Sequence, residues 1–190
     1  MTNIIVSINA GTVEYGSLYG IERVLEFKNE SDLEIQAVVN SIIKFSLCTP
    51  SNLTIVIVEP PLMNIHIKTR ICQLMLKQYK VRGISILPRS VCSVVGQGKS
   101  AGMVQHEEFI IPVYDYRELT PNIKQRGEFD DQELMKQIRE NLAIDLRKPL
   151  SDVVHCNSDS VWRGVAAIIQ RCVLPVYLKY DNSICDSLYC

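Results

Sequence analysis

The residues of this chain that could do chemistry are few, and their spacing is poor for it. Its three histidines, His66, His106 and His155, are scattered. His106-Glu107-Glu108 is the densest run of potential metal ligands. A zinc site needs ligands that converge from separate turns of chain. No second histidine lies at ligand spacing, so this run reads as a solvated turn tip. Ser90 and Ser93 have no histidine near them in sequence to act as a base. Gly96-Gln97-Gly98 reads as a helix end and not as a phosphate loop. The seven cysteines, Cys48, Cys72, Cys92, Cys156, Cys172, Cys185 and Cys190, include no CxxC pair. Cys72, Cys92 and Cys172 fall on inward helix positions, which suits reduced core thiols better than a metal or redox centre. These residues give no grounds for a catalytic group, a metal or a cofactor.

The elements that would position them are easier to read. Thr54 to Val58 is a β-branched run of strand length, stopped by Glu59-Pro60-Pro61. A helix is expected from Asn64 to Tyr79, with Ile67, Ile71, Leu74 and Met75 on one face. Ile84 to Leu87 reads as a strand. Pro88 can open the next helix, because the N–H it lacks has no helical partner there. Val91, Cys92, Val94 and Val95 belong to that helix, Gly96 to Ser100 ends it, and Gly102 to Val104 starts another strand. Before this stretch, residues 4–8, 13–18 and 23–28 read as three strands, with turns at Asn9-Ala10-Gly11 and Tyr19-Gly20. Ser31-Asp32-Leu33-Glu34 is a capping box that opens a helix. Its expected inward residues are Leu33, Ile35, Val38, Val39, Ile42 and Phe45. Beyond Val104 come strands near 102–105 and 108–114, and a polar loop over 117–127. A helix over 130–142, a brief strand at Val153-Val154, a helix over 160–172 and a strand over 174–180 follow. Short apolar strands alternating with helices predict an α/β fold with a largely parallel sheet.

Composition is that of a globular chain, 47% hydrophobic and 22% charged with net charge −1. No basic stripe stands out along the sequence, so no nucleic-acid partner is expected. The chain opens without a cationic leader or a long apolar run, and no window reaches membrane-span length; neither secretion nor a membrane partner is expected. Asn29-Glu30-Ser31 and Asn52-Leu53-Thr54 match the glycosylation sequon by chance on that reading.

Five ordered segments carry a resemblance. They are Glu59-Pro60-Pro61-Leu62 with the helix after it, Ile86 to Val95, Gly98-Lys99-Ser100-Ala101-Gly102-Met103-Val104, Ile111-Pro112-Val113-Tyr114, and Ile144-Asp145-Leu146-Arg147-Lys148-Pro149-Leu150. Together they resemble the middle and later parts of the actin fold, which is shared with sugar kinases and heat-shock ATPases. The resemblance implies two inner lobes, residues 1–104 and a shortened 105–180, with a C-terminal stub at 181–190. Actins insert an outer lobe after the third strand and another in the second half. Here only a few residues separate Phe27 from Ser31, and only about a dozen lie between Leu119 and the helix at Asp130, so both outer lobes are expected to be missing.

The same resemblance places the nucleotide positions. The first phosphate hairpin falls on Ser7 to Gly11, with serine in place of the actin carboxylate and Gly11 the one remaining glycine. The phosphate-reaching cation falls on Glu14 and the water-positioning glutamine on Arg89. The second hairpin falls on Gln105 to Glu108, without glycine, and the adenine-pocket glycines fall on Asn157-Ser158-Asp159. Carboxylates at Glu14, Glu107 and Glu108 would repel a triphosphate. In its new setting Arg89 calls for an acidic partner, Glu107 or Glu108, or else points into solvent. The resemblance thus implies a protein that is not an enzyme and holds no nucleotide.

A base without outer lobes can dock on the pointed end of an actin-like filament and offer no surface to the next subunit, which ends an open head-to-tail assembly. Leu87-Pro88-Arg89 and the segment from Ala143 to Leu150 are most similar to the divergent fungal actin-related proteins at the pointed end of dynactin. That implies filament actin-related subunits and other dynactin subunits as partners, cytoplasmic and cytoskeletal localisation, and a role in dynein-driven transport along microtubules. The filament-facing groove would be walled by Val95, Gly96, Gly98 and Ser100 on one side and Tyr116 and Arg117 on the other. Two alternatives stay open: an actin-related subunit of a chromatin-remodelling assembly, and an ATP-binding enzyme of the same fold.

Overall fold

The computed structural model describes residues 2–9, 11–28, 31–106, 109–119, 124–125, 153–171 and 177–179. The chain forms two compact units, Met1–Leu87 with Cys172–Cys190, and Pro88–Arg171. Both are mixed α/β, each built on a mixed sheet. Against the expectation of a largely parallel sheet, most strand pairs are antiparallel, because hairpins and not helical crossovers join the first three strands of each unit. The division falls before the helix that opens at Pro88. The boundary expected after Val104 would instead cut a strand that pairs on both sides within the second unit.

In the first unit, β1 (Thr2–Asn9), β2 (Gly11–Ser17) and β3 (Gly20–Phe27) form an antiparallel meander. β4 (Leu53–Glu59) lies parallel to β1 on the other side, with Thr2 opposite Leu53 and Ser7 opposite Val58. β5 (Gly83–Pro88) follows β4 in the sheet. The order across the sheet is β11-β5-β4-β1-β2-β3, where β11 is Tyr177–Lys179. Helix α1 (Asp32–Phe45) starts where the capping residues place it, with the Ser31 hydroxyl accepting from the Glu34 N–H at 3.3 Å. Ile35, Val38, Val39 and Ile42 recur at helical spacing and are buried against the sheet. Phe45 is half-buried and meets the Tyr15 ring edge-on, with centroids 5.3 Å apart. Leu33 departs from expectation and is 83% exposed. It stands on the far side of the helix from the stripe through Ile35 and Ile42.

Helix α2 (Ile65–Gln73) is capped by Asn64, whose side chain accepts from the His66 N–H at 2.9 Å. The expected helix to Tyr79 changes pitch on the way. Residues Leu74–Gln78 form a π-helical turn, closed by the Tyr79 N–H on the Leu74 carbonyl at 3.0 Å. The wider turn buries three consecutive side chains, Leu74, Met75 and Leu76, which one face of an α-helix does not do.

The second unit starts with α3 (Arg89–Gly96), with Pro88 at its N-cap. β6 (Ala101–His106) and β7 (Phe109–Tyr114) form an antiparallel pair. β10 (Val153–His155) lies parallel to β6 on its other side. The stretch expected as a polar loop contributes two short strands, β8 (Arg117–Glu118) and β9 (Lys124–Gln125), both paired with β7. Their polar side chains hid a pairing made by backbone alone. Helix α4 (Ser158–Gln170) begins at a capping box in which Asn157 and Ser160 exchange hydrogen bonds. The expected helix over 130–142, Cys172 and the 181–190 stub lie outside the described residues.

α3 packs on β6, β7, β8 and β10 and runs closely against α4. A Cβ added at Gly96 would sit 1.8 Å from the Ser160 carbonyl oxygen, and one added at Gly164 would sit 1.8 Å from that of Cys92. The two backbones touch because these two positions have no side chain.

Candidate functional site

Within the first unit, Ser7 is fully buried in the C-terminal half of β1 and stands directly opposite Glu14 on β2. The β1–β2 pairing closes at Asn9 opposite Thr12. Gly11, at φ 75°, supplies the left-handed conformation that this tight turn requires. Glu14 thus stands across the hairpin from Ser7, the position that the resemblance gives to a carboxylate.

Within the second unit, β6 and β7 pair up to His106 opposite Phe109. That leaves only Glu107 and Glu108 to connect the strands. Asp159 sits in the first turn of α4, after the Asn157 cap, where an acid complements the helix dipole. Asn157-Ser158-Asp159 therefore act as a helix start. Gln105 is half-buried, and its carbonyl accepts from the Cys156 N–H at 3.3 Å.

Arg89 does not point into solvent, since only 5% of it is exposed. Its Nε donates to the Cys156 sulfur at 3.3 Å, and the Ser93 hydroxyl lies 3.1 Å from the same sulfur. Ser90, one residue along, donates to the Glu118 carboxylate. Glu107 and Glu108, the partners expected for Arg89, lie outside the described residues. Ser90 and Ser93 are buried and hydrogen-bonded, holding α3 to the strand ends. Cys92, beside them on α3, is fully buried, and burial is the main reason its thiol is pushed well above the ordinary cysteine range. Cys72 in the first unit is pushed up to about 12, again chiefly by burial. Cys48 and Cys156 are free, half-buried thiols. Among the described residues, no group of three or more His, Cys, Asp or Glu is placed to hold a metal.

The six groove residues all belong to the second unit. Val95 is buried, and the space beside Gly96 is filled by Ser160. Gly98, at φ 73°, is the left-handed residue of a Schellman cap on α3. Its N–H reaches the Val95 carbonyl at 2.9 Å, and the Lys99 N–H reaches that of Val94 at 3.0 Å. Ser100 then lies beside the β7–β8 hairpin, where its carbonyl accepts from the Tyr116 N–H at 3.4 Å.

That hairpin has an unusual turn. Tyr114 pairs with Arg117, so Asp115 and Tyr116 make the whole connection, at φ 48° and 62°. A two-residue turn with both residues left-handed usually takes Asn-Gly. Here neither is glycine, at a cost of roughly 1–2 kcal/mol per residue. The turn presents Tyr116, 47% exposed, next to the exposed Arg117. The sequence reading named Tyr116 and Arg117 but missed the turn, because the Asp-Tyr pair carries no hairpin signature.

The described helices include none long and apolar enough to cross a membrane. The sequence matches no protein-family model and no curated protein.

Proposed function

We propose that this chain is a non-catalytic actin-related subunit that docks on the pointed end of an actin-like filament and caps it, within the dynactin complex of the cytoplasmic cytoskeleton. The observation that carries the reading is one strand plan used twice. The first unit orders its strands β3-β2-β1-β4 and the second β8-β7-β6-β10. In both, the first three strands in sequence are antiparallel neighbours and a later strand, β4 or β10, lies parallel to the first; the second unit adds the two-residue β9 on β7. The actin resemblance implies such a duplicated plan. Two short connections support the absence of catalysis and of the first outer lobe. Only residues 28–31 join β3 to α1, and only Glu107-Glu108 joins β6 to β7.

The docking face in this reading is the exposed end of the second unit formed by Gly98, Ser100, Tyr116 and Arg117. Interface energy concentrates in Tyr and Arg anchors. The test is a pull-down of filament and shoulder subunits of dynactin by a tagged chain carrying Tyr116→Ala with Arg117→Ala. A loss on the order of 2 kcal/mol, about thirtyfold, is expected with the circular dichroism spectrum unchanged. A folded double variant that recovers its partner at wild-type levels removes the docking face. Recovery of chromatin-remodeller subunits instead would move the chain to the nucleus.

A further inference from the structure

We infer that one end of the first unit is a docking surface for anionic lipid. The end in question is where β1 and β4 begin. Thr2 pairs with Leu53, and the Arg82 N–H bonds to the carbonyls of Leu53 at 2.9 Å and Pro50 at 3.2 Å. The Cys48 sulfur lies 3.3 Å from the Thr2 hydroxyl, which brings the end of α1 to the same place. Gly16 stands opposite Ile5, so the tip of the β2–β3 hairpin is level with Asn3 and Thr2. Lys179, in register opposite Gly83, belongs to this end too.

The cations Lys44, Lys77, Lys80 and Arg82 are all exposed here. Lys77, Lys80 and Arg82 are near neighbours in sequence, and the fold adds Lys44 from the end of α1, in a chain whose net charge is −1. Two large exposed side chains stand at the same end, Leu47, 94% exposed, just past α1, and Tyr19, fully exposed, at the tip of the β2–β3 hairpin. Helix dipoles account for Lys44 and Lys77, which lie in the last turn of α1 and in the π-helical turn. They do not account for the rest. Leu47 and Lys80 occupy the left-handed position just past each helix end, at φ 49° and 55°, where glycine is the cheap choice. An aliphatic and an aromatic side chain on separate turns, at the same end of the sheet as these cations, suit a lipid surface. It accepts both without shaped pockets, while its negative headgroups attract each lysine and arginine near it. Exposed Leu47 has no role in phosphate binding, which disfavours nucleic acid. This surface is in a different unit from Tyr116 and does not depend on the filament reading.

The test is co-sedimentation of the full chain with vesicles of phosphatidylcholine containing roughly 30 mol% phosphatidylserine, to give the negative surface of a cytoplasmic leaflet, beside vesicles of phosphatidylcholine alone. Binding is expected to the anionic vesicles only, and to weaken at high salt. Lys80→Glu and Arg82→Glu should each lower the apparent affinity about fivefold or more. Leu47→Gly provides the internal control. It removes the inserting side chain but relieves the backbone, so vesicle binding should fall while the melting temperature holds or rises. Equal binding to both vesicle types, or unchanged binding by Leu47→Gly, overturns the proposal. So does retention on immobilised polyglutamate without vesicle binding, which would give the surface to an acidic protein.

Discussion

Replacing Gly164 by alanine tests the helix pairing that organises the second unit. On a helix surface this change normally stabilises, because alanine is favoured over glycine by about 1 kcal/mol. At Gly164 the new methyl would stand 1.8 Å from the Cys92 carbonyl oxygen and 2.6 Å from its carbon. Both atoms are backbone in the middle of α3, so no rotamer change relieves the overlap. Ordinary contact needs roughly 3.5 Å, so the helices must separate by more than 1 Å along a seam packed as densely as the rest of the interior. Overpacking of this kind costs roughly 1–3 kcal/mol, and rigid backbone on both sides puts this site at or above the upper end. Net of propensity, a loss of about 2–3 kcal/mol is expected. For a chain of this size that is about 4–12 °C in melting temperature. Thermal melts followed by circular dichroism, with Ala167→Gly on the same helix as the reference, would measure it. Ala167→Gly should cost only the propensity term, about 1 kcal/mol. If Gly164→Ala melts at or above the wild-type temperature, the close approach of α3 and α4 is wrong.

Two further outcomes are expected. Burial holds Cys72 and Cys92 as neutral thiols in the fold, with pKa values pushed above the ordinary thiol value near 9. The unfolded chain therefore loses those protons first as pH rises, and their contribution, fully present below pH 9, falls by about 1.4 kcal/mol per thiol at pH 10. Urea titrations at pH 8 and pH 10 should show that fall, and Cys92→Ala should remove about half of it; an unchanged slope in the variant would contradict the buried-thiol account. Calorimetry with Mg-ATP should give no saturable heat below about millimolar concentration, a standard free energy near −4 kcal/mol. Micromolar binding would revive the enzyme alternative.

Much of the fold was legible because its signals are local. The capping residues Ser31 and Asn64 start α1 and α2 in the structure, and the β-branched run at 54–58 is a buried strand. Period alone misplaced Leu33, since an apolar residue near a helix start looks inward until the phase of the whole stripe is known. The pitch change at Leu74 and the short strands β8 and β9 were not legible, because backbone geometry decides them. The same holds for the candidate sites. Tyr116 can be picked out by type, but its glycine-free turn cannot. Gly96 and Gly98 look alike in sequence, yet one admits a neighbouring helix and the other ends its own. Three members of the cation cluster of the first unit, Lys77, Lys80 and Arg82, lie within six residues, but their neighbourhood with Lys44 and the exposed Leu47 exists only after folding.

The strand order of the first unit has a consequence for how the protein is made. β5 is flanked by β4 on one side and by β11 on the other, and β11 begins at Tyr177, 89 residues after β5 ends at Pro88. At ~5–20 residues per second the ribosome needs roughly 4–18 s to supply that missing neighbour. Throughout the interval Ile84, Ile86 and Leu87 belong to a nascent sheet with an open apolar edge, the template on which chains join one another. Overproduction from a strong promoter should therefore send this chain into inclusion bodies at the stage of synthesis, and slower translation or a bound chaperone should recover it.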